Sequence, residues 1–296
     1  MFGTFLYDTS GISSPDEFNN KNQVFDVGRT LAMIEETHIF SPQVVNSVRF
    51  GFYRVPADIG ATTAVNPAAA DLSLGTVPGR AAPDVAIPGV TEFTGGVGAP
   101  SHYDFHFNTF QFYDDVFYTR GAHSIKFGAS ANWIQDNITA TTDGNGEFNY
   151  GSLASFLTNG SATTFKAFIP SVLSGRSVRQ TLLGAYVQDD WRARPNLTVN
   201  AGVRYEMATI PYEPFGRLSV LKTLSAPAPY LGNPTFSSNS TLYDFEPRLG
   251  FAWDPFHNGK TAIRGGFGVY DALPPNLYVQ SCVCLHGTIL QRRRGE

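Results

Sequence analysis

The sequence has few charged residues, hardly any cysteine and no long apolar run. Charged residues make up 16% of the chain and the formal net charge is −4, so the basic face of a nucleic-acid binder is missing. No apolar run approaches the roughly 18 residues of a transmembrane helix. The opening residues 1–5 contain neither a basic nor a long apolar segment, so no secretory signal is visible. Cys282 and Cys284 lie close to the end, which leaves the rest of the chain without a disulfide framework.

What the sequence does contain is alternation of apolar and polar residues. Residues 124–134 are the clearest case, with Phe127 and Trp133 among the residues on one side and Lys126 and Asn132 among those on the other. Such a period of two is typical of strands, and an aromatic content of 14% argues against disorder. The pattern predicts nine strands, at residues 2–8, 24–38, 44–55, 107–118, 124–134, 179–191, 197–206, 248–253 and 262–270.

The connections between these strands are alternately long and short. Four are short, at residues 40–43, 119–122, 192–196 and 254–260, and four are long and rich in Gly, Pro, Ser, Thr and Asn, at residues 9–23, 56–106, 135–178 and 207–243. Outer-membrane barrels have short periplasmic turns and long extracellular loops. We therefore predict an all-β protein: a partial antiparallel up-and-down transmembrane β-barrel of about nine strands.

The two faces of the predicted strands also differ in charge. Mid-strand charges suit a water-filled or plugged lumen, and we assign to it Lys126, Arg179, Arg204, Glu206, Arg248 and Arg264. Aromatic residues near strand ends predict two girdles, Tyr118, Trp191 and Trp253 at the short turns and Trp133, Tyr205 and Tyr270 at the long loops. Asp189 is an exception, because alternation places it on the apolar face beside a short turn.

Three groups of residues could be taken for metal sites. His102, Asp104 and His106 would share one face of a strand, but three ligands near a long loop indicate a polar patch more readily than a zinc site. The segment DGNGEF at 143–148 starts like a calcium loop, yet Phe148 stands where an EF-hand needs glycine, so we predict a tight turn. Cys282, Cys284 and His286 could also be taken for a metal cluster, but a second pair of ligands is missing, so we predict no metal site there.

No arrangement of residues supports an enzyme. Asp114 with Asp115 and Asp189 with Asp190 are adjacent pairs, and neighbours in a strand point to opposite faces. Nucleophile elbows, phosphate-binding loops and dinucleotide fingerprints do not occur in the sequence. We therefore predict no catalytic residue, no metal site and no cofactor.

Four segments resemble a known family. GAYVQDDWRARPNLTVNAGVRYE at 184–206, HIFSPQVVNSVRFGFYR at 38–54, FYTRGAHSIKFGA at 117–129 and PRLGFAWDPFHNGKTAIRGGFGVYD at 247–271 are similar to the barrel hairpins of TonB-dependent outer-membrane receptors of the Oar-like, acidobacterial type. The resemblance implies a Gram-negative outer-membrane protein that imports a large solute with energy from TonB. It implies outer-membrane lipid and a solute as partners, with TonB engaged only through N-terminal regions that are not in this sequence.

The resemblance also implies that the chain is a fragment. Barrels of this class have about 22 strands, and no plug or TonB box is visible in residues 1–296. We expect a partial barrel domain over residues 1–280, with residues 2–8 and 262–270 at the two edges of an open sheet, and an aberrant, disordered tail at 281–296. Two alternatives are a small porin-like or adhesin-like barrel and a soluble β-rich surface binding protein.

Overall fold

The computed structural model describes residues 1–98, 101–168, 175–220, 223 and 227–273. Within these residues, one antiparallel sheet of nine strands dominates, and each of its strands pairs with the next one along the chain. The nine strands are β1 (Phe2–Pro15), β2 (Lys21–Ser41), β3 (Val44–Ala64), β5 (Ser101–Arg120), β6 (His123–Thr142), β9 (Arg176–Arg194), β10 (Leu197–Ala208), β13 (Asp244–Trp253) and β14 (Ile263–Gly268). The predicted up-and-down order is confirmed.

The remaining elements are short and belong to the loops. Strands β4 (Asp84–Ala86), β7 (Glu147–Asn149) and β8 (Thr164–Lys166) form a three-stranded sheet, and β11 (Ser219–Val220) pairs with β12 (Tyr230–Leu231). Helix α1 (Leu153–Leu157) and two 3-10 turns, Pro67–Ala70 and Leu72–Leu74, complete the loops. None of these helices could cross a membrane, since none in the described part of the chain is long and apolar enough.

Most strands are longer than their alternation pattern predicts, whereas β14 is shorter. Strands β2 and β3 have 21 residues each and β5 and β6 have 20, whereas about 9–11 tilted residues cross a bilayer. Most of the additional residues lie at the loop end, where the sequence becomes rich in Thr, Asn and Gly and indicates loops. A few, such as 40–41 and 192–194, extend into the predicted short turns. One predicted long loop is wrong as a result: residues 9–23 belong mostly to β1 and β2, which are joined by a turn at 16–20.

The sheet is open at both sides. β1 and β14 are its first and last strands, as the sequence predicts, and every residue of β1 is exposed. A spanning sheet in lipid has to close so that all backbone N–H and C=O groups are paired. These nine strands therefore form a section of barrel wall and not a closed barrel.

Candidate lumen surface and loop platform

The two faces of the wall can be assigned strand by strand from the register. We call the side that carries Lys126, Arg204 and Arg248 the polar face, and the side that carries Phe127 and Val187 the apolar face. Phe127 and Val187 lie directly opposite each other and are 44% and 45% exposed. Large hydrophobic side chains in this state require a non-aqueous environment, because a soluble protein would have to cover them.

A hydrogen-bonded group on the polar face spans four strands. Arg49 of β3 donates from Nη2 to Asp115 Oδ2 of β5 at 2.6 Å, and the Tyr186 hydroxyl of β9 donates to Asp115 Oδ1 at 2.7 Å. Arg49 also lies 5.3 Å from the ring centre of Tyr113. Tyr186 reaches Asp115 by passing over β6, the strand that lies between β5 and β9. The group therefore ties non-adjacent strands together.

Gly128 makes this crossing possible. It lies in β6 opposite both Asp115 and Tyr186. A Cβ atom there would be 2.5 Å from the Asp114 carbonyl oxygen, 2.6 Å from Asp115 Oδ1 and 2.9 Å from the Tyr186 ring. Real Cβ atoms do not approach so closely, so any other residue at position 128 would displace the tyrosine.

Three further cations of the polar face are also paired with carboxylates, whereas Arg264 of β14, which lies on the same face as Arg248, forms no ion pair with the described residues. Lys126 Nζ lies 3.5 Å from Asp190 Oδ2, and Asp190 Oδ1 accepts a hydrogen bond from the Asn200 amide. Arg248 Nη2 lies 2.6 Å from Glu246 Oε2. Arg204 pairs with Glu206 in the same strand. Lys126, Arg204 and Arg248 are thus neutralised by partners on the same face, and the predicted assignment of these residues and of Glu206 to one polar surface is confirmed.

A concavity of about 560 Å³ opens over the polar face near β14. Gly202, Gly250, Gly266 and Gly268 line it together with Arg204, Arg248 and other residues of β9, β10 and β13. Tyr270 also lines it, with its ring centre 4.6 Å from the Arg248 guanidinium carbon. Tyr270 therefore lies on the polar side, and its predicted place in an outward girdle is wrong.

The acidic pairs divide between the two faces, as alternation predicts. Asp115 lies on the polar face, whereas Asp114 on the apolar face accepts a hydrogen bond from the Asn46 amide at 2.5 Å. Asp190 points to the polar face, and Asp189 points to the apolar face, where its Oδ2 lies 2.6 Å from His123 Nδ1. The His123 ring stacks on Trp191 at 5.7 Å. The misplaced charge of Asp189 thus has a partner beside the short turn.

One predicted lumen residue, Arg179, lies on the opposite face. Lys126 pairs with Gln188, and the register then runs without a shift to Arg179, which pairs with Gln135. Since Gln188 shares the polar face with Lys126, a residue nine positions away must point outward. Arg179 Nη2 donates to Asn137 Oδ1 at 2.9 Å on this apolar face. The prediction that Arg179 faces the lumen because it is charged is therefore wrong. Arg179 lies on the apolar face, nearer to the long loops than the apolar residues of that face.

His102, Asp104 and His106 share one face of β5, as the period of two requires, but they do not converge. His106 Nε2 lies 3.2 Å from Asp104 Oδ1, whereas His102 Nδ1 is 3.7 Å from Asp58 Oδ1 on β3. Among the residues that the structure describes, no three His, Cys, Asp or Glu side chains are grouped to hold a metal ion. Cys282, Cys284, His286 and the tail at 281–296 lie outside these residues.

The predicted tight turn at 143–148 is present and helps to organise the loops. Asp143 and Gly146 have φ values of 51° and 89°, and the chain then enters β7. Asn145 is fully buried and donates from Nδ2 to the carbonyl oxygens of Ala82 and Val97. This turn therefore fixes the loop between β3 and β5.

A buried lysine holds the same loop from another strand. Lys21, at the loop end of β2, is 0% exposed and donates from Nζ to the carbonyl oxygens of Thr94 and Gly96. Asp84 is 1% exposed. Its burial raises the pKa of its carboxyl to about 7, an effect that the charge of Lys21 opposes and those of Glu92, Glu147 and Asp143 reinforce. The sequence does not indicate that Lys21 and Asp84 are buried in the same loop region, because the two residues are far apart in the chain.

A buried glutamate organises the loop between β10 and β13. Glu213 is 0% exposed and accepts hydrogen bonds from the backbone N–H groups of Ser177, Phe215 and Arg217 and from the Arg217 guanidinium. Burial opposes ionisation, but these donors hold the pKa of Glu213 below its ordinary value. We call this set of loops, at residues 65–98, 143–168, 209–220 and 227–243, the loop platform. It lies at the end of the wall away from the short turns.

The chain is similar to known outer-membrane proteins. The TonB-dependent transporter Oar of Myxococcus xanthus is 33% identical over 98 residues, which are 33% of this chain and 7% of that protein. The outer membrane transporter YddB from Escherichia coli is similar in structure, with 12% identity and a TM-score of 0.34 over 89% of this chain and 38% of that one. The chain thus spans a small part of each relative. A model of the outer membrane beta barrel domain matches residues 1–285. The chain belongs to this outer membrane β-barrel family, and its location is the cell outer membrane.

Proposed function

We propose that this chain forms part of the barrel of a TonB-dependent transporter, in which the polar face lines the lumen and the loop platform receives a large solute. The observation that carries the proposal is the polar face, where Arg49, Lys126, Arg204 and Arg248 are each paired with a carboxylate. Water or a polar protein segment must face such a surface, because charges directed into lipid would cost about 2–4 kcal/mol each. The similarity to Oar supports the energy source.

The soluble alternative does not agree with the family of the chain or with its exposed apolar face. A small self-contained barrel is a weaker candidate, because the two outer strands of the described sheet do not pair with each other. Neither wall nor platform supplies an arrangement that favours catalysis, so the proposed role is passage of a solute and not its conversion.

The experiment that tests this proposal compares uptake in three strains. One strain carries the native gene, one lacks it, and one retains it but lacks TonB. Accumulation of radiolabelled solutes from a defined panel should fall equally in the last two strains. Solute uptake that requires the gene but continues without TonB would instead support a passive porin.

A second experiment tests which end of the wall faces the medium. Because outer-membrane barrels have their long loops outside, an epitope tag at Gly160, in the loop platform, should bind antibody on intact cells. A tag at Asn258, in a short turn, should bind antibody only after permeabilisation. The reverse labelling would invert the proposed orientation.

A further inference from the structure

A row of four polar residues crosses the apolar face at a single level of the register. Arg54 of β3 lies opposite Asn108 of β5, Asn108 lies opposite Gln135 of β6, and Gln135 lies opposite Arg179 of β9. We call these four residues the polar row. The row immediately below it, toward the short turns, is aromatic, with Phe52 and Phe110 at 5.1 Å and Phe110 and Trp133 at 5.5 Å between ring centres. The change from aromatic to polar is therefore abrupt on neighbouring strands.

This change occurs where the membrane should end. From His123 at the short turn to Trp133 in the aromatic row, β6 advances ten residues. At about 3.3 Å per residue and a tilt of about 40°, that is roughly 25 Å of height. The apolar band of an outer-membrane barrel is about 25 Å tall. The polar row thus stands at the level of the lipid headgroups on the loop side of the band.

The two arginines of the polar row differ from those on the polar face. Arg54 donates from Nη1 to Asn108 Oδ1 at 3.2 Å, and Arg179 donates to Asn137 Oδ1 and to a backbone carbonyl. All three partners are neutral amide oxygens. Neither arginine forms an ion pair with a carboxylate of the described residues, whereas Arg49, Arg204 and Arg248 all do.

Several carboxylates in the neighbourhood have other partners, although the charges of Asp136, on the opposite face beside Gln135, and of Glu213 also act on Arg179. Asp58 and Asp104 on the same face are two rows nearer to the loops and lie close to His102 and His106. Glu213 is bonded to Arg217. Each asparagine uses its oxygen to hold an arginine in place and adds no negative charge. A guanidinium has five N–H donors in a planar fork, so both arginines keep donors available and a full positive charge.

We propose that Arg54 and Arg179 bind the phosphate groups of lipids in the outer leaflet of the membrane. Three strand spacings separate the two residues, which is about 14 Å at roughly 4.8 Å per spacing, so each arginine holds its own phosphate. A planar guanidinium binds phosphate through two parallel hydrogen bonds. The lipid chains would then lie along the aromatic row and the apolar residues below it.

The proposal can be tested on the native protein purified in detergent from outer membranes. Diphosphoryl lipid A and the same lipid after enzymatic removal of its phosphates are titrated against the protein, with bound lipid counted by native mass spectrometry. We expect the intact lipid to bind and the dephosphorylated lipid to bind on the order of tenfold more weakly, because charge-assisted hydrogen bonds are lost. Inorganic phosphate in excess should not displace it, since the chains also contribute.

Variants assign the binding to the polar row. Arg54→Gln and Arg179→Gln should each weaken binding of diphosphoryl lipid A by about tenfold, whereas the lysine variants R54K and R179K should retain part of the affinity. The matched control is Arg120→Gln, which removes an exposed arginine from the same face at the short-turn end of β5.

Three results would overturn the proposal. They are equal binding of phosphorylated and dephosphorylated lipid, an Arg120→Gln variant that is as weak as R54Q, or full displacement of the lipid by inorganic phosphate. A glutamine variant that fails to fold would be recognised from its loss of heat-resistant mobility on a gel. The lysine variants, which keep charge and length, then decide the matter by the same titration.

Discussion

Asp114 and Asp115 are neighbours in β5, yet they belong to two different surfaces. Asp115 faces Arg49 and Tyr186, with a charged donor on one oxygen and a hydroxyl on the other. Asp114 faces lipid and has the amide of Asn46 as its partner. The Asp115 carboxylate on the polar face is part of a network that joins strands, whereas the Asp114 carboxylate on the apolar face has one local partner. The structural role of an aspartate in this wall therefore depends on the face that it occupies.

The largest expected effect is on the folding of the nine-stranded wall itself, whose apolar face must be covered and whose edge strands must be paired. This chain refolded by itself should aggregate and form no stable channel, because β1 and β14 have unpaired edges and the apolar face is uncovered. Size analysis in detergent and conductance across a planar bilayer measure this. A monodisperse monomer with reproducible channels would favour the small-barrel alternative.

A substitution on each face tests the assignment of lipid and lumen. In a lipid-refolded barrel that contains these strands, Phe127→Arg should cost about 2–4 kcal/mol of unfolding free energy, because the new charge faces lipid near the middle of the apolar band. Asn200→Arg should cost less than about 1 kcal/mol, since it faces the polar side beside Asp190. Urea titrations followed by tryptophan fluorescence give both values. Equal costs would mean that the two faces are wrongly assigned.

Sequence alone predicts the faces well and the fine structure poorly. The nine strands, their order and the separation of Asp189 from Asp190 all follow from a period of two. Arg179 shows the limit, because its chemistry suggests the lumen while its distance of ten residues from Asp189 requires the apolar face. The structure follows the count, since a shift by one residue would turn every side chain to the other face.

The loop platform could not be predicted, for a different physical reason. Its stability depends on single buried groups such as Lys21 and Asn145, whose partners are backbone carbonyl groups far away in the sequence. Backbone partners leave no pattern of residue types. The same holds for Gly128, which looks like an unremarkable lumen residue until Tyr186 is seen to cross over it.

Gly128 offers a sharper test of the polar face. Gly128→Ala should destabilise the barrel by about 1–3 kcal/mol, because the added methyl group would overlap with the Asp114 carbonyl oxygen and the Tyr186 ring. Tyr186→Phe, which removes the hydrogen bond to Asp115, should cost about 1–2 kcal/mol. The double variant should cost less than the sum, because Gly128→Ala already displaces the hydroxyl. Strict additivity in the same urea titrations would show that Tyr186 does not depend on Gly128.

The smallest effect comes from the Asn46–Asp114 pair on the apolar face, for which we predict a change of sign. Replacing both members, Asn46→Val with Asp114→Leu, removes a donor and its acceptor together, so no unpaired group is left facing lipid. Such a double replacement is nearly neutral or stabilising, and we expect a change within about 1 kcal/mol in favour of the variant. Asn46→Val by itself should destabilise, because it leaves the Asp114 carboxylate without its amide partner.

The matched replacement on the polar face should have the opposite sign. Asp115→Leu leaves the Arg49 guanidinium and the Tyr186 hydroxyl without their acceptor, at a cost of about 2–3 kcal/mol. Parallel urea titrations of the two variants in the same lipid measure the difference directly. If the Asn46–Asp114 double variant lost as much stability as Asp115→Leu, the outward pair would be as necessary as the inward network. The comparison of neighbouring aspartates would then no longer distinguish a surface in contact with lipid from one that lines a lumen.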